Sequence, residues 1–246
     1  ERTNDDLLNF VRETSGDFEL GRLLETLTNE LLNKEDVPTK MASLRWINML
    51  MEKRSDIREF TVQLLPVMLR TLSDPSDPVV LLDLQVLSRI SLAKENAEPE
   101  EAQFQLVLNA ILDLFAKDHQ LLEIRGSLII RKLCVLLNAK AVYIRMAETL
   151  SSYETETDDR LQFISTMVQT LNLILLTASE LHDLRQLLAK NESHKEFETL
   201  FHCWCHNPVA TYSLCLLSQA YDLSFALVQR FSDMEDVSVG FLMQID

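Results

Sequence analysis

The sequence predicts an all-α fold, a helical-repeat solenoid built from antiparallel helix pairs. Its apolar positions recur every forty residues, and within each repeat they are three or four residues apart, as on one side of an α-helix. Only 4 of the 246 residues are glycine, and the alternating patterns of β-strands are absent from the sequence. The clearest row of the repeat consists of Met41, Leu81, Leu121 and Leu161. We therefore expect paired helices from residue 17 to residue 150.

The same repeat identifies the residues expected in the core. Pro38 and Pro78 share the spacing, and each precedes an apolar helical stripe, where a residue without an N–H group is tolerated. A second row of apolar residues, again forty apart, consists of Leu44, Leu84, Ile124 and Ile164. From these rows we expect the following side chains to be buried: Leu64, Leu84, Leu87, Ile124 and Ile130.

The clearest helix pair has an acidic turn at its centre. Its first helix contains Pro66, which removes one backbone hydrogen bond and is expected to bend the axis. In the turn, Asp77 is expected to cap the second helix and Pro78 to occupy its first turn. This arrangement resembles the HEAT repeat, so the predicted architecture is a HEAT-like solenoid. Val80 replaces the arginine expected in that repeat, which argues against an ion-pair ladder from Asp74 to arginine.

The most acidic stretch of the chain, residues 151–159, is a candidate boundary between two parts of the array. Residues 1–150 carry the sharper repeat, and residues 160–246 read as further helical hairpins that continue the same array. A solvated loop, with acidic residues at the positive N-terminus of the next helix, accounts for the same stretch. Both interpretations predict helices on either side of it.

The formal net charge of −15 argues against several kinds of partner. Nucleic-acid binding relies on clustered Lys and Arg residues, and anionic lipid repels an acidic protein. The basic pairs Lys53-Arg54 and Arg131-Lys132 are typical of solvated helix faces, with a lipid-headgroup site as the alternative. No apolar run reaches the length of a membrane span. We expect a soluble chain that reaches membranes only indirectly, through its partners.

The two ends of the sequence and its cysteines are informative about the length and the cellular compartment of the protein. The chain begins at Glu1 without a methionine and closes on the apolar run 237–245, which predicts a fragment of a longer protein. Its 4 cysteines lack the regular spacing of a disulfide framework. Reduced thiols in the cytosol are the simplest interpretation.

One segment, His202-Cys203-Trp204-Cys205-His206, suggests metal chemistry. His202 and His206 are one helical turn apart, a spacing that can chelate zinc. Cys203 and Cys205 lie about 200° apart around a helix, so both thiols cannot join both imidazoles at one ion. We therefore expect no metal site here, and a metal-dependent hydrolase built on the two histidines is the alternative.

The end of that segment predicts the start of a helix instead. Asn207 is expected to cap the helix that follows, and Pro208 to occupy its first turn. Trp204 is expected to pack inward. The segment then has a structural role without chemistry.

Catalytic motifs that depend on glycine do not occur in the sequence. Phosphate-cradling loops, nucleophile elbows and dinucleotide-binding turns all need closely spaced glycines. The glycines here are isolated: Gly16, Gly21, Gly126 and Gly240. We expect no enzyme activity and no cofactor, and we expect the extended helical surface to bind partners.

Several segments of the chain resemble one known family. They are residues 44–46, 72–77, 123–134, 165–177 and 204–211. The Arg-Gly-Ser string at 125–127 and the Trp-Cys-His-Asn-Pro-Val string at 204–209 are not part of the general HEAT consensus. On these residues the chain resembles the vacuole morphology and inheritance scaffold family, the HEAT proteins of the phosphatidylinositol 3,5-bisphosphate kinase complex.

The resemblance implies a non-catalytic scaffold with known kinds of partner. That family self-associates and holds a FYVE-type phosphoinositide 5-kinase together with the opposing Sac-type phosphatase. Its later part is associated with self-assembly and phosphatase binding. The implied location is cytoplasmic and peripheral, on endosomal, lysosomal or vacuolar membranes. The alternative from another class is a transport adaptor of the karyopherin or clathrin-adaptor type, which binds peptide cargo.

Two arginines are the candidates for partner contact. Arg125 and Arg131 project from an otherwise apolar helical segment, and an arginine there can make a bidentate contact with a partner's carboxylate. An internal ion pair with a neighbouring repeat accounts for either residue equally well. Charge reversal distinguishes the two roles.

Overall fold

The computed structural model describes residues 2–13, 19–53, 55–92, 101–153, 157–190, 194–233 and 243. Within these ranges the chain forms thirteen α-helices and two 3₁₀ helices, without a strand. This confirms the predicted all-α fold. The apolar run 237–245, apart from residue 243, lies outside the described residues.

The helices follow one another through short connections. The earlier helices are α1 (Arg2–Glu13), α2 (Leu20–Asn33), α3 (Val37–Lys53), α4 (Thr61–Thr71), α5 (Asp77–Ser91) and α6 (Glu101–Lys117), with the 3₁₀ helix Ser55–Phe60 before α4. The later helices are α7 (His119–Leu136), α8 (Ala139–Ser151), α9 (Asp158–Thr177), α10 (His182–Ala189), α11 (His194–Trp204), α12 (Pro208–Leu217) and α13 (Tyr221–Ser232). The 3₁₀ helix Ser179–Leu181 precedes α10.

The chain divides into two compact units, Glu1–Leu114 and Phe115–Asp246. The division lies inside α6, whereas the boundary suggested by the acidic stretch is at residues 151–159. That stretch connects α8 to α9 within the second unit. Asp158 and Asp159 lie in the first turn of α9, where a negative charge is favourable.

In the first unit, several helices pack against helices one or two places along the chain. α2 packs against α3 and α4, and α5 packs against α3 and α4. This is the packing pattern of stacked helix pairs. Leu64 of α4 and Leu84 and Leu87 of α5 are buried, which confirms those predictions.

The turn between α4 and α5 is held by Asp74. One of its carboxylate oxygens accepts from the backbone N–H of Ser76 over 2.9 Å, and the other pairs with Lys40 Nζ of α3 over 2.5 Å. A lysine of the preceding helix pair thus takes the place of the arginine ladder that the sequence argued against. The turn is tied to the pair before it.

The prolines and Asp77 lie close to their expected places around this turn. Pro66 lies inside α4, and Pro78 lies in the first turn of α5. The second helix begins one residue earlier than expected, so Ser76 occupies the cap position and Asp77 is the first helical residue. The charge of Asp77 is therefore placed at the positive end of the helix.

The second unit repeats the same packing pattern. α7 packs against α8 and α9, α8 against α11, α9 against α11 and α12, and α12 against α13. Large side chains that are completely buried in this unit include Tyr143, Leu171 and Trp204. Ile130 of α7 is also fully buried, as predicted.

A short insertion, the 3₁₀ helix followed by α10, separates α9 from α11. Arg185 of α10 donates from Nη1 to the carbonyl oxygens of Leu175 and Ala178, over 2.8 and 2.6 Å. These carbonyls lie at the C-terminal end of α9, where helix carbonyls lack partners within the helix. The insertion therefore closes the end of α9.

The predicted burial of Ile124 is wrong, because its side chain is 69% exposed. The buried side of α7 is formed by Leu121, Leu122, Gly126, Ile129, Ile130, Leu133 and Cys134. At 100° per residue, Ile124 lies about 180° from the middle of that side. The forty-residue row aligns positions along the chain, but the neighbouring helices decide which side of α7 is covered.

Across the described ranges, no single helix is long and apolar enough to cross a membrane. One helix pair bent by 85°, Asp158–Thr177 with Ser179–Ala189, meets the criteria by combined length and composition.

Candidate functional site

The junction of α9, α11 and α12 is organised around Trp204. The indole is completely buried, and its Nε1 donates to Asn172 Oδ1 over 3.0 Å. The Ser213 hydroxyl donates to the same oxygen over 3.0 Å, and the Thr211 hydroxyl donates to the Trp204 carbonyl over 2.6 Å. Since a buried N–H needs a partner, Asn172 allows α9 to accept the tryptophan of α11.

Asn207 begins α12 and also ties it to α9. Its Oδ1 accepts from the backbone N–H of Ala210 over 3.0 Å, in the N-cap geometry, and Pro208 follows in the first turn. Its Nδ2 donates to Ser165 Oγ over 3.3 Å. This bond and the bond from Ser213 to Asn172 join residues 42 and 41 apart, so α9 and α12 run parallel, side by side.

Arg131 of α7 forms an ion pair within the second unit. Its Nε donates to Glu180 Oε1 over 2.6 Å and its Nη2 to Oε2 over 3.3 Å, a bidentate contact. Hydrogen bonding from Arg131 lowers the pKa of Glu180 to about 2. The guanidinium thus holds the 3₁₀ helix after α9, which is the internal role that the sequence left open. Contact between Arg131 and a partner stays a prediction.

Arg125 occupies a different side of α7. It is partly buried and lies six residues before Arg131, which places it about 120° away around the helix. The two arginines therefore do not form one basic patch. Contact between Arg125 and a partner stays a prediction.

The cysteines of the second unit are poor nucleophiles. Burial raises the pKa of the Cys134 and Cys203 thiols to about 12 and that of Cys215 to about 11, and it also raises the pKa of Cys205. The reactive form of cysteine is the thiolate, so these groups are protonated near neutral pH. Thiol chemistry is therefore disfavoured at each of them.

His202 and Cys203, in the segment that suggested metal chemistry, differ in exposure. His202 is exposed, with Nε2 3.9 Å from Glu198 Oε1, whereas Cys203 is completely buried. Among the residues with described side chains, no three His, Cys, Asp or Glu residues are grouped as metal ligands.

A protein-family model described as "Vacuolar protein 14 C-terminal Fig4p binding" matches residues 119–246. The match begins at the first residue of α7 and covers more than half of the chain. The chain belongs to this family. The family resemblance inferred from the sequence is thereby confirmed.

Similar curated proteins support membership of the Fig4p-binding family. The "Protein VAC14 homolog" of Arabidopsis thaliana is 39% identical over 249 aligned positions, covering 99% of this chain and 32% of that protein. The Schizosaccharomyces pombe protein of the same name is 34% identical, covering 96% of this chain and 28% of its own length. The "Vacuole morphology and inheritance protein 14" of Saccharomyces cerevisiae is 28% identical, covering 96% of this chain and 26% of that protein.

The chain thus spans about a third or less of the length of these relatives. No solved structure matches it.

Most residues singled out in the sequence lie in the range that the Fig4p-binding family matches. Arg125, Arg131, Trp204, Asn207 and Pro208 are within it, and the residues of the acidic turn are not. Sequence reasoning missed Asn172 and Glu180, the partners of Trp204 and Arg131. A polar residue inside the apolar stripe of α9 was the available signal for Asn172.

Proposed function

We propose that this chain is a non-catalytic scaffold segment whose second unit binds the Sac-type phosphatase Fig4p. One observation carries the proposal: the Fig4p-binding family matches residues 119–246, and residues 115–246 form a compact unit. The matched range therefore coincides with a structural unit. A binding function that belongs to the family is accordingly assigned to helices α7 to α13.

The finer parts of the proposal concern the remaining partners and the location. We propose that the scaffold also holds a FYVE-type phosphoinositide 5-kinase, self-associates, and lies on endosomal, lysosomal or vacuolar membranes. The relative named for vacuole morphology and inheritance supports the location. The net charge of −15 supports attachment to anionic membranes through partners, because an acidic surface is repelled by anionic lipid.

The absence of catalysis is part of the same proposal. Buried, protonated thiols offer no nucleophile, and the polar groups at the centre of the α9–α12 junction are hydrogen-bonded to one another. Such groups stabilise the fold.

The test is direct binding between the complete 246-residue chain and purified Fig4p by isothermal titration calorimetry. A saturable complex is expected, and a peptide cargo of the transport-adaptor class should not compete with it. The kinase and a differently tagged copy of the chain are titrated separately. Failure to bind Fig4p would contradict the central proposal, whereas failure with the kinase or the second copy would remove only that part.

A further inference from the structure

The second unit contains two long stretches of sequence without a charged residue. Residues 161–179 and 199–221 contain no Asp, Glu, Lys or Arg, although 25% of the chain is charged. These stretches include nearly all of α9 and all of α12, which pack side by side. Apart from residues 158–160 at the start of α9, these two adjacent helices carry no charged side chain, in a protein of net charge −15.

Large apolar side chains are exposed on this pair. Leu173 and Leu176 of α9 are 61% and 41% exposed, and Leu216 of α12 is 43% exposed. We call these three leucines, together with the exposed Gln169 and Thr177 beside them, the neutral face. On each helix, the apolar side that is buried lies opposite these exposed residues. The neutral face is therefore not the core of the unit.

The leucines of the neutral face are brought together by the register of the two helices. Asn172 of α9 and Ser213 of α12 are joined by a hydrogen bond of 3.0 Å, and the helices are parallel. Leu176 lies four residues after Asn172, and Leu216 lies three residues after Ser213, so both are about one turn beyond the bond. They are therefore at the same level on adjacent helices.

Single exposed leucines are ordinary, but a cluster of exposed residues whose own side chains carry no charge has the composition of an interface core. The centres of protein interfaces are depleted of charged residues, and exposed apolar clusters mark binding surfaces. The exposed apolar residues of α7 differ in this respect, because Ile124 and Val135 alternate with Glu123, Arg131 and Lys132. The neutral face is therefore a better candidate for a binding surface than the exposed side of α7.

We infer that the neutral face is the surface that binds the phosphatase, through apolar side chains of the partner rather than through basic ones. The inference rests on the proposed function, and it adds the location and chemistry of the contact. The face lies within residues 119–246, the range of the Fig4p-binding family. Contact through an uncharged surface predicts an affinity that changes little with salt, because screening acts on charges.

The experiment measures the dissociation constant of purified Fig4p for the complete chain and four variants. Leu173→Asp and Leu216→Asp place a charge in the neutral face. Val62→Asp is the matched control, since Val62 is 76% exposed on α4, outside the family match. Phe225→Asp tests a rival apolar site on α13, where Phe225 is 65% exposed. Melting temperatures are recorded for every variant.

We expect Leu173→Asp and Leu216→Asp each to raise the dissociation constant at least about tenfold with unchanged melting temperatures. Val62→Asp and Phe225→Asp should bind as the unaltered chain does. The unaltered affinity should vary less than about threefold between about 50 and about 500 mM salt. If an aspartate variant melts early, Leu173→Gln tests the same contact without a charge, and it too should weaken binding.

Other outcomes overturn the inference. Normal binding by both leucine variants, loss of binding in Phe225→Asp alone, or a steep salt dependence would each contradict the neutral face as the contact while leaving the proposed function intact. No binding by the unaltered chain would overturn the proposed function itself. If the unaltered chain sediments with phosphatidylcholine vesicles and Leu173→Asp does not, the face binds lipid instead.

Discussion

Trp204 of α11 donates a buried hydrogen bond to Asn172 of α9, with 3.0 Å between Nε1 and Oδ1. The Trp204 indole is the largest fully buried side chain of the described core. Its buried N–H needs a hydrogen-bond acceptor. Asn172 also accepts from Ser213 of α12. One amide oxygen therefore connects three helices of the unit that the Fig4p-binding family matches.

Replacing Asn172 should destabilise the second unit. Asn172→Leu leaves the Trp204 N–H without its acceptor, which costs about 1–3 kcal/mol of unfolding free energy, whereas the Ser213 hydroxyl can still donate to the Ala210 carbonyl. Urea denaturation followed by circular dichroism measures the change. Gln169→Leu is the matched control, because Gln169 is exposed on the same helix. Equal stability of the two variants would contradict the role of the buried bond.

Substitutions at Asn207 should separate the N-cap hydrogen bond of this residue from its hydrogen bond to Ser165 of α9. Asn207→Ala removes both and should lower the unfolding free energy by about 1 kcal/mol or more. Asn207→Asp keeps an oxygen for the Ala210 N–H but cannot donate to Ser165. We expect its melting temperature to lie between those of the unaltered chain and Asn207→Ala. A loss in Asn207→Asp as large as in Asn207→Ala would show that the bond to Ser165, and not the cap, is the stabilising contact.

The ion pair between Arg131 and Glu180 should make stability fall in acid. Hydrogen bonding from Arg131 lowers the pKa of Glu180 from 4.5 to about 2 in the folded chain. The pair therefore stabilises fully above the unfolded value, and its contribution is lost as pH falls from about 4.5 toward about 2. The melting temperature of Glu180→Gln should decline less over this pH range than that of the unaltered chain. Glu123→Gln, at an exposed position of α7, should decline as the unaltered chain does.

Asp83 should make the folded chain less stable as pH rises, which is opposite to the effect of the pair between Arg131 and Glu180. It is completely buried on α5, none of the described residues hydrogen-bonds to its carboxyl oxygens, and burial raises its pKa well above the ordinary 3.8. The folded chain therefore keeps a proton that the unfolded chain releases, so stability decreases as pH rises above 3.8.

Asp83→Asn cannot ionise and has nearly the same shape. We expect its unfolding free energy to fall less than that of the unaltered chain between about pH 4 and about pH 7. Urea denaturation at each pH gives the comparison. The same slope in both chains would show that Asp83 is solvated or paired in the folded state.

Charge reversal should assign Arg131 to the fold. Arg131→Glu places two carboxylates together and should lower the melting temperature while binding of Fig4p is retained. Loss of binding at an unchanged melting temperature would instead assign Arg131 to the interface. The same substitution at Arg125 tests the remaining candidate, and loss of binding or self-association with unchanged melting is the result expected of an interface residue.

The sequence alone was sufficient for the fold class, the family and much of the core. Leu84 and Leu87 could be predicted because an α-helix places residues three or four apart on one side, whatever that side touches. Asn207 and Pro208 could be assigned to the start of a helix because capping depends on neighbouring backbone groups. Such signals are local, so they can be read without knowing which helices meet.

Only the tertiary structure decided the contacts between helices. The partners of Trp204 and Arg131 lie 32 and 49 residues away, and no local pattern relates them. Ile124 shares its row with buried residues, yet it is exposed because α8 and α9 cover another side of α7. The neutral face likewise exists only because α9 and α12 lie in parallel register. Helical periodicity defines which residues share a side, and packing between helices determines whether that side is covered.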